Sequence, residues 1–200
     1  MKKLYILFVF VVGITTAQQS SGATITFSGA GATGIFSGPV DEGIFRYDTF
    51  SGGLVVQAGS RGNPVPHMEG NGFTGGGVLS IIRNDIAGGL FTFDAADVAV
   101  VSFDGNNVVT EGFLLGASQG SDTLITLNGD NNWVTRNSVN LSGVLIDELR
   151  ITLDALGSPA GWEELDNVVV TEASVPDAGS TALLMAMGLA GLGIVRRRMR

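Results

Sequence analysis

The chain contains no cysteine and a single histidine, His67. The absence of cysteine excludes disulfides, thiolate metal sites, a cysteine nucleophile and lipid attachment through cysteine. One histidine leaves little scope for a histidine-based zinc site or a catalytic dyad. The sequence therefore predicts neither a metal site nor an enzyme active site built on cysteine or histidine.

Basic residues are scarce in the part of the chain where acidic residues are plentiful. All 19 acidic residues lie between Asp41 and Asp177, and only five arginines and no lysine lie among them. A segment with so few cations cannot neutralise phosphates and release their counterions. Nucleic acid is therefore excluded as a partner.

The N-terminus has the order of a secretory signal peptide. Lys2 and Lys3 precede an apolar run at residues 4–14, which small and polar residues follow, and these are the basic, apolar and cleavable regions of such a peptide. The run is well short of the ~20 residues that a membrane span needs. Small residues permit signal peptidase to cut after Ala17 or after Ala23. We prefer the second bond, which predicts a signal peptide at residues 1–23.

A second apolar run, at residues 182–195, ends in three consecutive arginines. The stretch from residue 178 to residue 195 reaches roughly 27 Å at ~1.5 Å per residue, enough for a bilayer core. The positive-inside rule keeps the arginines in the cytoplasm and places the preceding body outside. We predict a transmembrane helix that holds the chain in the inner membrane before processing.

A short proline-containing segment stands before this helix, at Val175, Pro176, Asp177, Ala178 and Gly179. A plain membrane anchor requires the helix and the arginines but not this segment. With it, residues 175–200 resemble a PEP-CTERM sorting signal of the VPDSG-like variant, with alanine at position 178 where that variant has serine. The resemblance implies that a membrane-embedded exosortase recognises the segment, removes the helix and passes the body to the cell surface or extracellular matrix. The residues to which it gives the sorting role are Val175, Pro176, Asp177, Ala178, Gly179, Arg196, Arg197 and Arg198.

The body, residues 24–174, alternates with the period of β-strands. In residues 149–153, for example, Leu149, Ile151 and Leu153 alternate with polar residues. Gly, Asn, Asp and Pro clusters separate such runs. We predict an all-β, antiparallel, jelly-roll-like β-sandwich, with residues 59–77 as a long strand-poor connection that carries His67 in a surface loop. The other predicted strands are 23–27, 44–50, 54–57, 78–83, 90–93, 98–103, 108–115, 123–127, 133–136 and 165–171.

Residues 78–170 resemble lectin-like or carbohydrate-binding-module-like jelly rolls. The resemblance is carried by residues 81–85, 89–94, 109–113 and 165–170 together with Trp133. It implies the jelly-roll architecture and an extracellular polysaccharide as a partner.

Sugar recognition needs an aromatic platform beside amides or charges, because a pyranose has an apolar face and a polar rim. Trp133, flanked by Asn131, Asn132 and Arg136, is the best such group, and Trp162 is second. The alternative is that both tryptophans only pack. The sequence predicts a glycan contact at Trp133, Asn131, Asn132 and Arg136.

Acidic and amide side chains leave two further alternatives open. Oxygen ligands for a structural Ca²⁺ could come from Asp122, Asp130, Asn131 and Asn132, or from Asp166 and Asn167. The spacing of a calcium loop is missing, however, and the alternative is that these are turn residues. Glu163 and Glu164 point to opposite faces of a strand and cannot flank one glycosidic bond. We predict a non-enzymatic structural or adhesive surface protein without a cofactor. The rival functions are a secreted polysaccharide hydrolase and a permanently anchored surface lectin.

Overall fold

The computed structural model describes residues 21–31, 33–58, 66–71, 76–101, 107–125, 132–153 and 162–173. Most of the predicted signal peptide, the predicted transmembrane helix and the sorting residues Val175 to Gly179 and Arg196 to Arg198 lie outside these ranges. Within them, no helix is both long enough and apolar enough to span a membrane.

The described residues form thirteen strands in two antiparallel sheets, which confirms the predicted all-β class. One sheet has six strands in the order β10-β9-β12-β7-β4-β3. The other has seven strands, in the order β11-β8-β13-β6-β5-β2, with β1 paired to β13 beside this path. In chain order the strands are β1 (Gly22–Ile25), β2 (Gly34–Ile35), β3 (Val40–Glu42), β4 (Phe45–Gly52), β5 (Val55–Ala58), β6 (Pro66–Asn71), β7 (Gly77–Arg83), β8 (Phe91–Val101), β9 (Asn107–Leu114), β10 (Ala117–Ile125), β11 (Val134–Asn137), β12 (Glu148–Leu153) and β13 (Trp162–Glu172).

The apolar side chains of both sheets form one core. In β12 the leucines and the isoleucine are buried and the alternate residues are half-buried, as expected for a strand with one face against a core. The ring of Phe45 in β4 meets that of Phe91 in β8 edge to face, with centroids 5.4 Å apart, which joins the two sheets. The largest buried members of the core include Phe27, Phe45, Tyr47, Phe91, Phe93, Met68, Leu79, Ile81 and Ile146.

Strand β13 organises the seven-stranded sheet because three strands pair with it. One edge follows β8 along its length, while the other edge pairs first with β6 and then with β1. The register shifts after Asp166, where Asn167 has a φ of 45°. Asparagine tolerates this left-handed conformation better than most residues. Before this shift, residues 162–165 of β13 pair directly with β6.

Two parts of the strand assignment were wrong. Residues 90–93 and 98–103 were predicted as separate strands, but one long strand, β8, runs from Phe91 to Val101 and joins them. Residues 59–77 were predicted as a strand-poor connection, but strand β6 lies inside them. His67, expected in a surface loop, is fully buried in β6. The alternation in β6 has only one large apolar residue, Met68, so its period was too weak to detect.

Candidate functional site

The outward face of the six-stranded sheet carries aromatic and charged side chains in neighbouring strands. Alternation places Phe50 of β4, Ser80 of β7, Glu148 and Arg150 of β12, and Phe113 of β9 on this side. The register sets Arg150 opposite Ser80 on one side and Glu111 on the other. We call the five residues Phe50, Ser80, Phe113, Glu148 and Arg150 the aromatic face.

Arg150 lies between two aromatic rings. Its guanidinium carbon is 3.8 Å from the ring centroid of Phe50 and 4.1 Å from that of Phe113. Both distances are within the range of cation–π attraction. Phe50 is 53% exposed, whereas Phe113 is 9% exposed. The buried ring of Phe113 therefore packs against the guanidinium inside the protein, and the ring of Phe50 remains accessible to a ligand.

A carboxylate and a hydroxyl hold Arg150 in position. Its Nε donates to Oε1 of Glu148 at 2.9 Å and its Nη2 donates to Oε2 at 2.8 Å. Ser80 donates from its hydroxyl to the same Oε1 at 2.8 Å. Burial by itself would raise the pKa of Glu148, but these hydrogen bonds and the charge of Arg150 together hold that pKa below its ordinary value. The pair is thus ionised at neutral pH, and its geometry is bidentate and directional.

A groove of about 330 Å³ lies beside Phe50 on the same face. Arg46 at this groove donates to both carboxylate oxygens of Asp41, at 2.7 and 3.1 Å. The hydrogen bond from Arg46 lowers the pKa of Asp41 to about 2. The groove thus offers fixed charges and hydroxyls next to an exposed ring. It is lined by Pro39, Arg46, Asp48, Thr49, Phe50, Ser80 and Ile82.

The residues predicted to bind glycan occupy different surroundings. Trp133 is half-buried, and its ring meets that of His67 edge to face at 5.2 Å. Arg136 instead lines a cavity of about 330 Å³ together with residues of β10. Asn132 is exposed, and Asn131 lies outside the described residues. The structure thus places Trp133 and Arg136 at separate positions, and a glycan contact at Trp133 stays a prediction.

The oxygen-bearing residues considered for Ca²⁺ have other contacts in the structure. The carboxylate of Asp122 accepts hydrogen bonds from the chain between residues 138 and 141. Asn167 donates from its side-chain amide to Asp97 at 2.8 Å. Asp130 lies outside the described ranges. Asp122 and Asn167 therefore serve to connect strands and loops.

The aromatic face was missed at the level of sequence for a simple reason. Its two phenylalanines and its arginine belong to three strands that are far apart along the chain. The alternation of Glu148 and Arg150 around Leu149 did indicate one solvent-facing side of β12. No local pattern indicated that Phe50 and Phe113 would lie against that side, because only strand order decides it.

Residues 174–199 match a family model described as a VPDSG-CTERM motif, which confirms the sorting-signal resemblance. No curated protein matches the sequence.

Several solved structures resemble the body. A family 29 carbohydrate-binding module complexed with mannohexaose is 17% identical, with 76% of this chain and 92% of that chain covered and a TM-score of 0.41. A family 29 carbohydrate-binding module from Piromyces equi is 8% identical, with 79% and 94% covered and a TM-score of 0.44. The K1 cleaved adhesin domain of Lys-gingipain from Porphyromonas gingivalis W83 is 9% identical, with 78% and 99% covered and a TM-score of 0.43. All three identities are below 25% and all three TM-scores are below 0.5, so no property of this chain is argued from these structures. The chain combines a body of two antiparallel β-sheets with a VPDSG-CTERM motif.

Proposed function

We propose that the protein is exported, released from the inner membrane by an exosortase-type enzyme, and retained at the cell surface or in the extracellular matrix, where its β-sandwich binds a polysaccharide. The VPDSG-CTERM motif supports the sorting step. The aromatic face supports the binding step. The resulting role is structural or adhesive rather than catalytic.

The observation that carries the binding proposal is the exposed ring of Phe50 beside the Arg150–Glu148 pair. A pyranose offers an apolar face of C–H groups and a rim of hydroxyls. The ring can cover the apolar face, while the guanidinium donates to the hydroxyls and the carboxylate accepts from them. Because the ion pair is already fixed by its own hydrogen bonds, little side-chain entropy is lost when a sugar binds.

The shape and charge of this surface favour an extended neutral chain. The aromatic face crosses strands β4, β7, β12 and β9, which at ~4.8 Å between neighbours span roughly 15 Å. This length accommodates several sugar units in a row. The body carries five arginines and no lysine among the 19 acidic residues between Asp41 and Asp177, and this excess of negative charge disfavours polyanions through like-charge repulsion. We therefore expect neutral polysaccharides to bind better than acidic ones.

Binding is tested by affinity electrophoresis of the exported protein in gels that contain neutral or acidic polysaccharides. Phe50→Ala removes the accessible ring and should weaken binding about fivefold, since an aromatic contact contributes about 1 kcal/mol. Ile35→Ala is the matched control, because Ile35 is 75% exposed on the other sheet. The proposal is contradicted if the gel retards Phe50→Ala as strongly as the native protein. It is also contradicted if the protein releases new reducing ends from the polysaccharide, since that would indicate a hydrolase.

Trp133 provides the alternative position for the same ligand. If the glycan contacts the predicted set around Trp133, then Trp133→Ala abolishes retardation while Phe50→Ala does not. If the aromatic face binds the glycan, Phe50→Ala weakens retardation and Trp133→Ala leaves it unchanged. The comparison therefore separates the two sites in one experiment.

Processing is tested separately by the intact mass of the protein recovered from cells. Replacement of Pro176 by alanine, or deletion of residues 196–200, should leave the unprocessed precursor in the membrane fraction. If the C-terminus is only a membrane anchor, replacing Pro176 should not change the intact mass of the recovered protein. Recovery of the native protein with its C-terminal residues still attached would exclude exosortase processing.

A further inference from the structure

Three buried side chains with metal-binding atoms converge on the outward side of the seven-stranded sheet. Met68 of β6 lies in the core, so its neighbours His67 and Glu69 both point to the opposite side. Glu164 of β13 stands directly across from Glu69 in the register. One ligand atom from each of the three residues lies within 4.8 Å of the other two.

The burial of this cluster is nearly complete. His67 and Glu164 are 0% exposed and Glu69 is 3% exposed. Nε2 of His67 is 3.8 Å from Oε1 of Glu164, and the ring of Trp133 packs edge to face against the imidazole. Water is therefore largely excluded from a site at which an imidazole and two carboxylates meet.

The register brings two carboxylates face to face, and this geometry favours a cation between them. Like charges directly opposite each other on neighbouring strands repel, and removing ionised carboxylates from water is costly. Buried charges in proteins are paired or coordinate metals. A divalent cation between Glu69 and Glu164 would turn their repulsion into attraction and would tie β6 to β13.

We propose that His67, Glu69 and Glu164 bind one divalent transition-metal ion, of which Zn²⁺ is the prototype. Bonds of about 2.1 Å separate tetrahedral ligand atoms by about 3.4 Å, so the 3.8 Å between His67 and Glu164 requires only a small contraction. An imidazole with two carboxylates suits Zn²⁺ or Mn²⁺, whereas Ca²⁺ takes six to eight oxygen ligands. The role of the ion is structural, and it is independent of glycan binding at the aromatic face.

The test uses the exported protein purified without a polyhistidine tag, because the chain has a single histidine of its own. After treatment with a chelator, the protein is titrated with ZnCl₂, and in parallel with CaCl₂, by isothermal calorimetry. We expect one Zn²⁺ per chain, at least 100-fold weaker binding for Glu164→Gln and for His67→Gln, and no comparable site for Ca²⁺. Thermal unfolding should shift upward with Zn²⁺ in the native protein only.

Glu163→Gln is the matched control. It removes a neighbouring, equally buried carboxylate that points to the other side of β13, so its Zn²⁺ affinity should equal that of the native protein. The proposal is overturned if the native protein binds no Zn²⁺, if Glu164→Gln and His67→Gln bind it with native affinity, or if Glu163→Gln weakens binding as much as they do.

Discussion

The buried carboxylate of Asp122 should contribute strongly to the stability of the sandwich. Its side chain in β10 is 5% exposed and accepts four hydrogen bonds from the segment that follows β11. The hydroxyl of Ser138 donates at 2.7 Å, and the backbone N–H groups of Val139, Asn140 and Leu141 donate at 3.2, 2.8 and 3.2 Å. One carboxylate therefore closes a loop against a strand.

Replacement of Asp122 by alanine leaves two buried donors, on Ser138 and Leu141, without their acceptor. Hydrogen bonds to a charged group contribute about 1.5–3 kcal/mol each, while the two more exposed N–H groups can turn to water. We expect a loss of about 3–5 kcal/mol, and about 2–3 kcal/mol for Asp122→Asn, which keeps the volume and one acceptor oxygen. Urea unfolding at pH 7, followed by circular dichroism, measures both values.

The pH dependence supplies a second test of the same carboxylate. Burial alone would raise the pKa of Asp122, but the four hydrogen bonds outweigh burial and hold that pKa below its ordinary value of 3.8. Because the folded pKa is lower than the unfolded one, the stabilisation is complete above the unfolded pKa and is lost as the pH falls through the folded pKa. The difference between the native protein and Asp122→Asn should therefore shrink in acid.

The control for Asp122 is Asp41→Asn, which changes a carboxylate in an exposed ion pair with Arg46 and should unfold as the native protein does. A loss below about 1 kcal/mol for Asp122→Ala, or a difference from Asp122→Asn that persists undiminished in acid, would refute the reasoning.

Three further predictions concern a turn, a close backbone approach and the signal-peptidase cleavage site. Leu115 and Gly116, with φ values of 52° and 78°, form the two-residue turn between β9 and β10. Because asparagine tolerates this conformation, Leu115→Asn should raise the free energy of unfolding in urea by about 0.5–1 kcal/mol. An unchanged free energy of unfolding would contradict this prediction. A Cβ on Gly70 would overlap the backbone oxygen of Leu153, so Gly70→Ala should lower the free energy of unfolding by about 3 kcal/mol. Gly22→Ala is the control, because its Cβ would meet nothing within 4 Å, and it should unfold as the native protein does. The sequence alone favoured a signal-peptidase cut after Ala23, but β1 begins at Gly22 and that cut would remove half of it. We therefore expect the cut after Ala17, and the intact mass of the exported protein decides between the two bonds.

The strands that were predicted correctly have a strong local signal. Leu149, Ile151 and Leu153 are buried in β12 and alternate with half-buried residues, as their period indicated. Strand β6 had no such signal, because His67 and Glu69 are polar residues in buried positions. A period-two pattern identifies a strand only where the buried side is apolar, so a strand with a buried polar side reads as a loop.

The sequence by itself determined the β class of the body and the sorting motif, because the alternation of apolar residues and the order of proline segment, apolar run and arginines are both local along the chain. Only the tertiary structure decided which residues meet. Phe50, Phe113 and Arg150 come together because β9, β12, β7 and β4 are neighbours in one sheet, and Glu69 faces Glu164 because β6 pairs with β13. Strand order and register arise from the packing of the whole core, and no short segment contains that information.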